Sequence, residues 1–126
     1  MKTTPAVSNI NLQEKREQLL GHVCGGRIHD FDFTKFRGVA TPIECEDGFT
    51  ISVQASDGHY CTPRKLTDWY TALELGYPSE PDDLILQYAE DPDSPTQTVY
   101  GYVPIDCVIA LLDKHGGPKR LDGVSK

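Results

Sequence analysis

The densest group of chemically reactive side chains is the run His59-Tyr60-Cys61-Thr62-Pro63-Arg64. A thiol beside an imidazole and a guanidinium could act as an activated nucleophile, with Arg64 holding a carboxylate or phosphate through two hydrogen bonds. The same run is typical of a turn after a strand, in which the tyrosine and the cysteine pack inward and the proline fixes the backbone. Because neighbours in sequence need not meet in space, both interpretations stay open. The ligand-binding interpretation uses the side chains of His59, Tyr60, Cys61 and Arg64.

Two His-x-Cys pairs, His22 with Cys24 and His59 with Cys61, raise the question of a zinc site. In an extended segment residues two apart share a face, so each pair could present nitrogen and sulfur ligands together. The first pair, however, falls at the end of an expected helix, where residues two apart point in different directions. Neither pair has the C-x₂₋₄-C or H-x₃₋₅-H spacing of zinc sites. We therefore expect no bound metal.

Other cofactor motifs do not match the sequence. The glycines at Gly25-Gly26 are not followed by the Gly-Lys-Ser/Thr of a phosphate-binding loop, and no G-x-G-x-x-G occurs. The acidic groups Asp82-Asp83 and Glu90-Asp91-x-Asp93 lack the spacing and the closing glutamate of an EF-hand. A glycosidase-like pair of carboxylates has no specific support. We expect no cofactor, and we favour a binding protein over an enzyme.

The acidic side chains are unevenly distributed along the chain. From Leu66 to Asp113 there are ten carboxylates and no lysine or arginine, whereas the remainder holds nine carboxylates and twelve basic side chains. This one segment therefore accounts for the net charge of −7. Such segregation creates a field that a basic partner would feel before contact. The alternative is a solvated acidic loop that only keeps the protein soluble.

Within this segment, prolines and tyrosines lie among the acids between positions 77 and 95. Aromatic side chains inside a charged rim are typical of protein interfaces. We therefore predict a partner-binding surface in which carboxylates steer association and two tyrosines anchor it. Its members are Asp82, Asp83, Glu90, Asp91, Asp93, Tyr77 and Tyr88.

Length and composition narrow the class of protein. A chain of 126 residues with 38% hydrophobic and 25% charged residues fits one globular domain, and no apolar run approaches the roughly 20 residues of a membrane-spanning helix. The first nine residues do not resemble a secretory signal, so a cytoplasmic location with four free thiols is expected. A pI near 4.9 disfavours direct nucleic-acid binding.

In the first half of the chain, the pattern predicts a helix and a hairpin. Asn11 and Glu14 have the spacing of a capping box, so a helix is expected from Asn11 to the Gly25-Gly26 pair. The segment from His29 to Gly38 offers Phe31, Phe33 and Phe36 to the core from a strand or loop. Strand-like runs at Thr41–Cys45 and Phe49–Ala55 flank Glu46-Asp47-Gly48, a turn signal.

In the second half, two strands and a helix are expected. Trp69–Leu75 and Val99–Val103 are strand-like, and the proline-rich stretch between them reads as an acidic loop with at most a short strand at Leu84-Ile85-Leu86. Pro104 suits the start of a helix that Gly116-Gly117 ends. Its apolar residues recur at i, i+3, i+4 and i+7, namely Ile105, Val108, Ile109 and Leu112.

This order of elements predicts an α+β fold: an antiparallel sheet of about four strands with an N-terminal and a C-terminal helix packed on one face. The expected organisation is a single domain over residues 10–117. Residues 1–9 and 118–126 are expected to be flexible.

Several stretches resemble small uncharacterised proteins encoded by tailed bacteriophages and prophages. They are Phe36-Arg37-Gly38, Ser52-Val53-Gln54-Ala55-Ser56, the His59–Arg64 run, Tyr77-Pro78-Ser79 and Val99-Tyr100-Gly101-Tyr102-Val103-Pro104. The resemblance covers about residues 30 to 117 and implies a phage accessory protein made in the host cytoplasm. Combined with the acidic segment, it leads us to expect an anti-CRISPR-like inhibitor of a host nucleic-acid-handling defence complex. The alternative is a small-molecule or metal site, possibly enzymatic, in the His59-Cys61-Arg64 loop.

Overall fold

A computed structural model of the protein describes residues 5–24 and 40–121, with side chains from residue 11 onward in the first of these stretches. The helices are α1 (Pro5–Cys24) and α2 (Ile105–Lys114), and the strands are β1 (Ile43–Glu44), β2 (Thr50–Gln54), β3 (Ala72–Gly76) and β4 (Val99–Pro104). A single 3₁₀ turn, Leu86–Tyr88, lies between β3 and β4 in the described part of the chain. The strands form one antiparallel sheet in the order β1-β2-β3-β4. The predicted α+β fold with two terminal helices and a four-stranded sheet is confirmed.

The start of α1 differs from the prediction. The helix begins at Pro5, so Asn11 lies inside it and does not cap it, and residues 5–9 are helical rather than flexible. Proline suits a first helical turn because its missing N–H would have no partner there. The helix ends at Cys24, directly before the glycine pair that was expected to end it. Of its expected apolar face, Leu19 and Val23 are fully buried.

The β1–β2 hairpin forms around the predicted turn. Ile43 lies opposite Ile51, and Gly48 adopts φ 97°, a left-handed conformation that glycine tolerates best. The Asp47 carboxylate accepts a hydrogen bond from the N–H of Phe49 at 2.9 Å, which tightens the turn. The inward residues of the second arm, including Ile51 and Val53, are buried as expected.

In β3 the predicted alternation is only half right. Leu73 and Leu75 are fully buried, but Trp69 is 52% exposed, and the strand begins at Ala72. Tyr70 is buried instead, with its hydroxyl donating to the Lys65 carbonyl at 2.6 Å. The strand was therefore predicted to begin three residues before its actual start.

A register shift in β4 decides which side chains reach the core. Leu75 pairs with Tyr100 and Leu73 with Val103, so β4 has one extra residue in this interval. Tyr100 and Val103 are therefore both buried, while Tyr102 lies outside with φ 56°. A bulge of this kind re-aims a side chain that strict alternation would have buried.

The core lies between the sheet and α2, which packs on β3 and β4, and α1 packs on α2. Helix α2 begins after Pro104 and buries five apolar side chains, Ile105, Val108, Ile109, Leu111 and Leu112. Gly116 and Gly117 follow it with φ 93° and 87°, as a helix-ending pair should. The predicted helix is confirmed.

Irregular backbone runs along both edges of the sheet. Beside β1, the N–H of Lys119 donates to the Glu44 carbonyl at 2.8 Å and Cys45 bridges to Pro118. Residues 118–119, expected to be flexible, therefore pair with the hairpin. Beside β4, the N–H of Glu90 donates to the Val99 carbonyl, and the N–H of Tyr102 donates to the Tyr60 carbonyl, both at 2.9 Å.

The expected aromatic segment from His29 to Gly38, with Phe31, Phe33 and Phe36, lies outside the described residues. Within the part of the chain that is described, no helix combines the length and the apolar character that crossing a membrane requires.

Candidate functional site

The connection between β3 and β4, residues 77–98, carries all seven predicted partner-binding residues, and we call it the acidic connection. It starts beside β2, where the N–H of Ser79 donates to the Thr50 carbonyl at 2.8 Å. It then passes the C-terminal end of α2 and returns along β4, where Ala89 bridges to Tyr100. The expected short strand at 84–86 does not form; a 3₁₀ turn at Leu86–Tyr88 takes its place.

Asp82 has a different environment from its neighbours. It is 5% exposed, and its carboxylate contacts Lys114 Nζ at 3.0 Å and His115 Nε2 at 2.8 Å. Burial alone would raise its pKa, but hydrogen bonds from the Leu84 N–H, His115 and Lys114 outweigh burial and lower it. Asp82 therefore fixes the connection to α2 and does not face solvent, so we remove it from the predicted surface.

The other predicted acids are exposed. They are Asp83, Glu90, Asp91 and Asp93. The Asp91 carboxylate accepts the N–H of Asp93 at 3.2 Å, and the Asp91 N–H donates to Thr98 Oγ1 at 3.1 Å, which gives this part of the connection a defined backbone. Two further exposed side chains in the connection, Leu84 and Leu86, are apolar.

The two predicted tyrosine anchors differ. Tyr77 is 58% exposed and has φ 52°, a left-handed conformation that is unfavourable for a bulky side chain. Its N–H donates to the Thr98 carbonyl at 3.1 Å. Tyr88 is half-buried and packs against the core. Tyr77 is therefore available to a partner to a much greater extent than Tyr88.

Outside the connection, three acids of the Leu66–Asp113 segment meet basic or imidazole groups. Asp106 receives two hydrogen bonds of 2.8 Å from Arg16, and Asp113 contacts Lys15 at 2.8 Å. Glu74 lies 3.9 Å from His59. The ten carboxylates of this segment therefore produce a weaker negative field than their number suggests, because α1 supplies basic side chains that are distant in sequence.

The reactive side chains of the run His59–Arg64 lie in different surroundings. Cys61 is 1% exposed, and its thiol donates to the carbonyls of Ser56 at 3.1 Å and Pro63 at 3.4 Å. Arg64 lies over the Tyr60 ring, 5.0 Å from its centre. His59 lines a cavity. The buried thiol of Cys61 therefore agrees with the turn interpretation, in which this side chain packs inward.

The cavity beside His59 was not found from the sequence. It has a volume of about 230 Å³ and lies on the face of the sheet opposite α2. His59 Nδ1 is 2.7 Å from Ser56 Oγ, and its Nε2 points toward the Glu74 carboxylate. The described residues that line the cavity are Ser52, Gln54, His59, Glu74, Leu75, Gly76, Tyr77 and Val99. The sequence had assigned His59 and Tyr77 to two different candidate sites, and its one sign of Glu74 was a charged residue between two leucines of a predicted strand.

Both members of the first His-x-Cys pair contact backbone carbonyls. His22 Nε2 lies 2.8 Å from the Thr41 carbonyl, and the Cys24 thiol donates to the Thr67 carbonyl. Across residues 11–24 and 40–121, no group of three or more His, Cys, Asp or Glu side chains is placed to hold a metal ion.

No protein-family model, curated protein or solved structure matches this chain. The geometry of the acidic connection and of the cavity is therefore the basis for a functional assignment.

Proposed function

We propose that the protein binds a host protein with a basic, nucleic-acid-binding surface and inhibits it, as an anti-CRISPR-like phage accessory protein would. The main support is the acidic connection, which carries exposed carboxylates and an exposed tyrosine on backbone that is fixed at several points. Charge complementarity of this kind accelerates association and selects the partner.

The composition of the surface supports a protein partner more than a role in solubility alone. Tyr77, Leu84 and Leu86 are exposed large side chains that lie within the acidic connection. Tyrosine in particular is common among residues that dominate binding energy, with a charged rim around it. A loop that served only solubility would gain nothing from exposing apolar groups.

The backbone of Tyr77 adds a second argument. A non-glycine residue with positive φ costs about 1–2 kcal/mol, and an exposed ring returns little of that through burial. Such conformations concentrate at functional positions, where stability is given up for a defined side-chain direction. The direction of the Tyr77 side chain is thus a property that binding would require.

Capture from a bacterial lysate at low and at moderate salt tests the proposal. We expect a dominant nucleic-acid-binding protein whose capture weakens with salt, and whose own nucleic acid competes with this protein for binding. Capture that is insensitive to salt, or a complex that binds its nucleic acid unchanged, would contradict the proposal.

Association kinetics with the captured partner then test the surface. The triple variant Asp83→Lys, Asp91→Lys and Asp93→Lys should associate at least about tenfold more slowly and with a flatter salt dependence. A matched control with the same change of net charge reverses exposed acids elsewhere, at Glu14, Glu46 and Asp57. If the two triple variants behave alike, net charge rather than this surface governs binding.

A further inference from the structure

The cavity on the face of the sheet opposite α2 has the features of a pocket for one side chain. Gly76 contributes no side chain to its floor, and its neighbours across the sheet are Ser52 and Val99. Tyr77, the exposed tyrosine of the acidic connection, also lines it. The pocket is therefore continuous with the surface proposed to bind a partner.

Glu74 is the charged group of this pocket. Its side chain is only 12% exposed. Burial raises its pKa, and the Glu90 charge adds to this effect, while a hydrogen bond from the Tyr60 N–H and the charge of Arg64 oppose it. A carboxylate that has lost part of its hydration gains more from a cation than a surface carboxylate does.

The remaining walls suit a flat cation on an aliphatic stem. Val99 and the bare floor at Gly76 offer apolar surface for methylene groups, and Tyr77 offers an aromatic ring of the kind that cations stack on. The two oxygens of the Glu74 carboxylate, near an aromatic ring, match the fork of donors on a guanidinium.

We propose that this pocket receives an arginine side chain of the partner protein, with its guanidinium hydrogen-bonded to Glu74 and adjacent to Tyr77. This inference rests on the proposed function, since a basic nucleic-acid-binding surface is the source of the arginine. Arginine is preferred to lysine because its planar group binds a carboxylate through two hydrogen bonds and stacks on tyrosine. Arg64 does not take this place, because its guanidinium lies over Tyr60.

Nuclear magnetic resonance titration with Nα-acetyl-arginine amide tests the pocket without the partner. We expect saturable shifts of the backbone amides of Gly76, Tyr77 and Val99, with a Kd on the order of 1–10 mM for a single side chain. Nα-acetyl-citrulline amide has nearly the same shape without the charge and should produce no saturable shift. Equal responses to the two compounds, or no response to either, would overturn the proposal.

Two variants locate the binding. Glu74→Gln removes the charge and should weaken binding at least about tenfold. Gly76→Ala should weaken it by occupying the floor of the pocket; the added Cβ would lie 3.6 Å from Val99 Cγ1 and 3.8 Å from Ser52 Cβ, ordinary contacts that the fold can accept. Asp57→Asn, an exposed acid outside the pocket, should bind within about twofold of the wild type. If Glu74→Gln and Asp57→Asn bind alike, the pocket is not the site.

The same variants separate this inference from the proposed function. If Glu74→Gln and Gly76→Ala capture the partner as well as the wild type while the amide still binds the wild-type pocket, the ligand is a free small cation and the assignment to a partner side chain is overturned. The other outcome is that reversal of Asp83, Asp91 and Asp93 leaves association unchanged while Glu74→Gln abolishes capture. That result would contradict the role of the acidic surface and support binding in the pocket.

Discussion

The imidazole of His115 is hydrogen-bonded to the buried carboxylate of Asp82, with Nε2 2.8 Å from Oδ2. Its other nitrogen, Nδ1, lies 2.8 Å from the carboxylate of Asp47, and its ring stacks on Phe49 with 3.9 Å between the ring centres. One side chain at the end of α2 thus joins the β1–β2 turn to the acidic connection. We therefore expect His115 to contribute to the free energy of unfolding and to its dependence on pH.

Replacing His115 should destabilise the fold strongly. His115→Ala removes the ring stack and leaves the buried Asp82 carboxylate with only Lys114 as a charged partner, so we expect a loss of about 3 kcal/mol in the free energy of unfolding. Urea denaturation measures this value. Lys119→Ala, which removes an exposed pair with Glu44, is the control and should cost less than about 1 kcal/mol. Equal losses would mean that the imidazole has no special structural role.

The stability of the protein should be greatest in mildly acidic solution. Burial acts to lower the pKa of His115, but its hydrogen bonds to Asp47 and Asp82 prevail and raise it above its ordinary value of 6.5. Stability from this shift is complete below pH 6.5 and is lost as the pH rises through the raised pKa. The pKa values of both carboxylates are lowered from 3.8, so their contribution is lost as the pH falls through those lower values.

Denaturation midpoints measured between pH 3 and pH 9 check this prediction. The wild type should lose stability from pH 6.5 upward, and His115→Gln should lack that alkaline decline because it has no titrating imidazole at this position. A decline of the same size in both proteins would assign it to other groups.

The two glycines after α2 should differ in their tolerance of alanine. Both have positive φ, so alanine at Gly117 should cost about 1 kcal/mol from backbone strain alone. At Gly116 a Cβ would also lie 3.0 Å from the Cβ of Glu46, and we expect a total loss of about 2–3 kcal/mol. Thermal unfolding of the two variants gives the difference. Equal losses would show that the hairpin turn moves aside without cost.

Thiol labelling should distinguish a buried cysteine from a reactive one. Burial, with the nearby charge of Asp47 and other acids, raises the pKa of Cys45 to about 11, and Cys61 is buried with its thiol hydrogen-bonded. In native protein we expect an aromatic disulfide reagent to modify Cys107, which is partly exposed, and to reach Cys45 and Cys61 only after unfolding. Rapid modification of Cys61 would revive the interpretation of its loop as a nucleophilic site.

Local patterns in the sequence predicted the elements whose causes are local. The turn at Asp47-Gly48 and the helix after Pro104 depend on residues within a few positions of one another, and both are found as expected. The start of α1 was misplaced because Asn11 and Glu14 have the spacing of a capping box without forming one. A residue type that suits a helix start does not exclude a helix that began earlier.

The candidate site is formed by contacts between residues far apart in the sequence, and the periodicity of apolar residues does not predict such contacts. Asp82 meets His115 across 33 positions, and Glu74 meets His59 through the register of β2 and β3 and the turn that follows β2. The sequence therefore showed that the acids cluster in one segment, but it could not separate the exposed acids from the one that is buried. It also gave no sign that Glu74 would face a cavity.

The backbone beside β1 and β4 restricts the way in which any other protein can bind. An open strand would invite a foreign chain to extend the sheet, either productively or as the first step of amyloid-like assembly. Here Lys119 on one side, and Glu90 and Tyr102 on the other, already donate to the outer strands or their neighbours. A partner protein would therefore have to bind side chains rather than the edges of the sheet. Single substitutions of surface residues should then change which partner is bound without changing the fold.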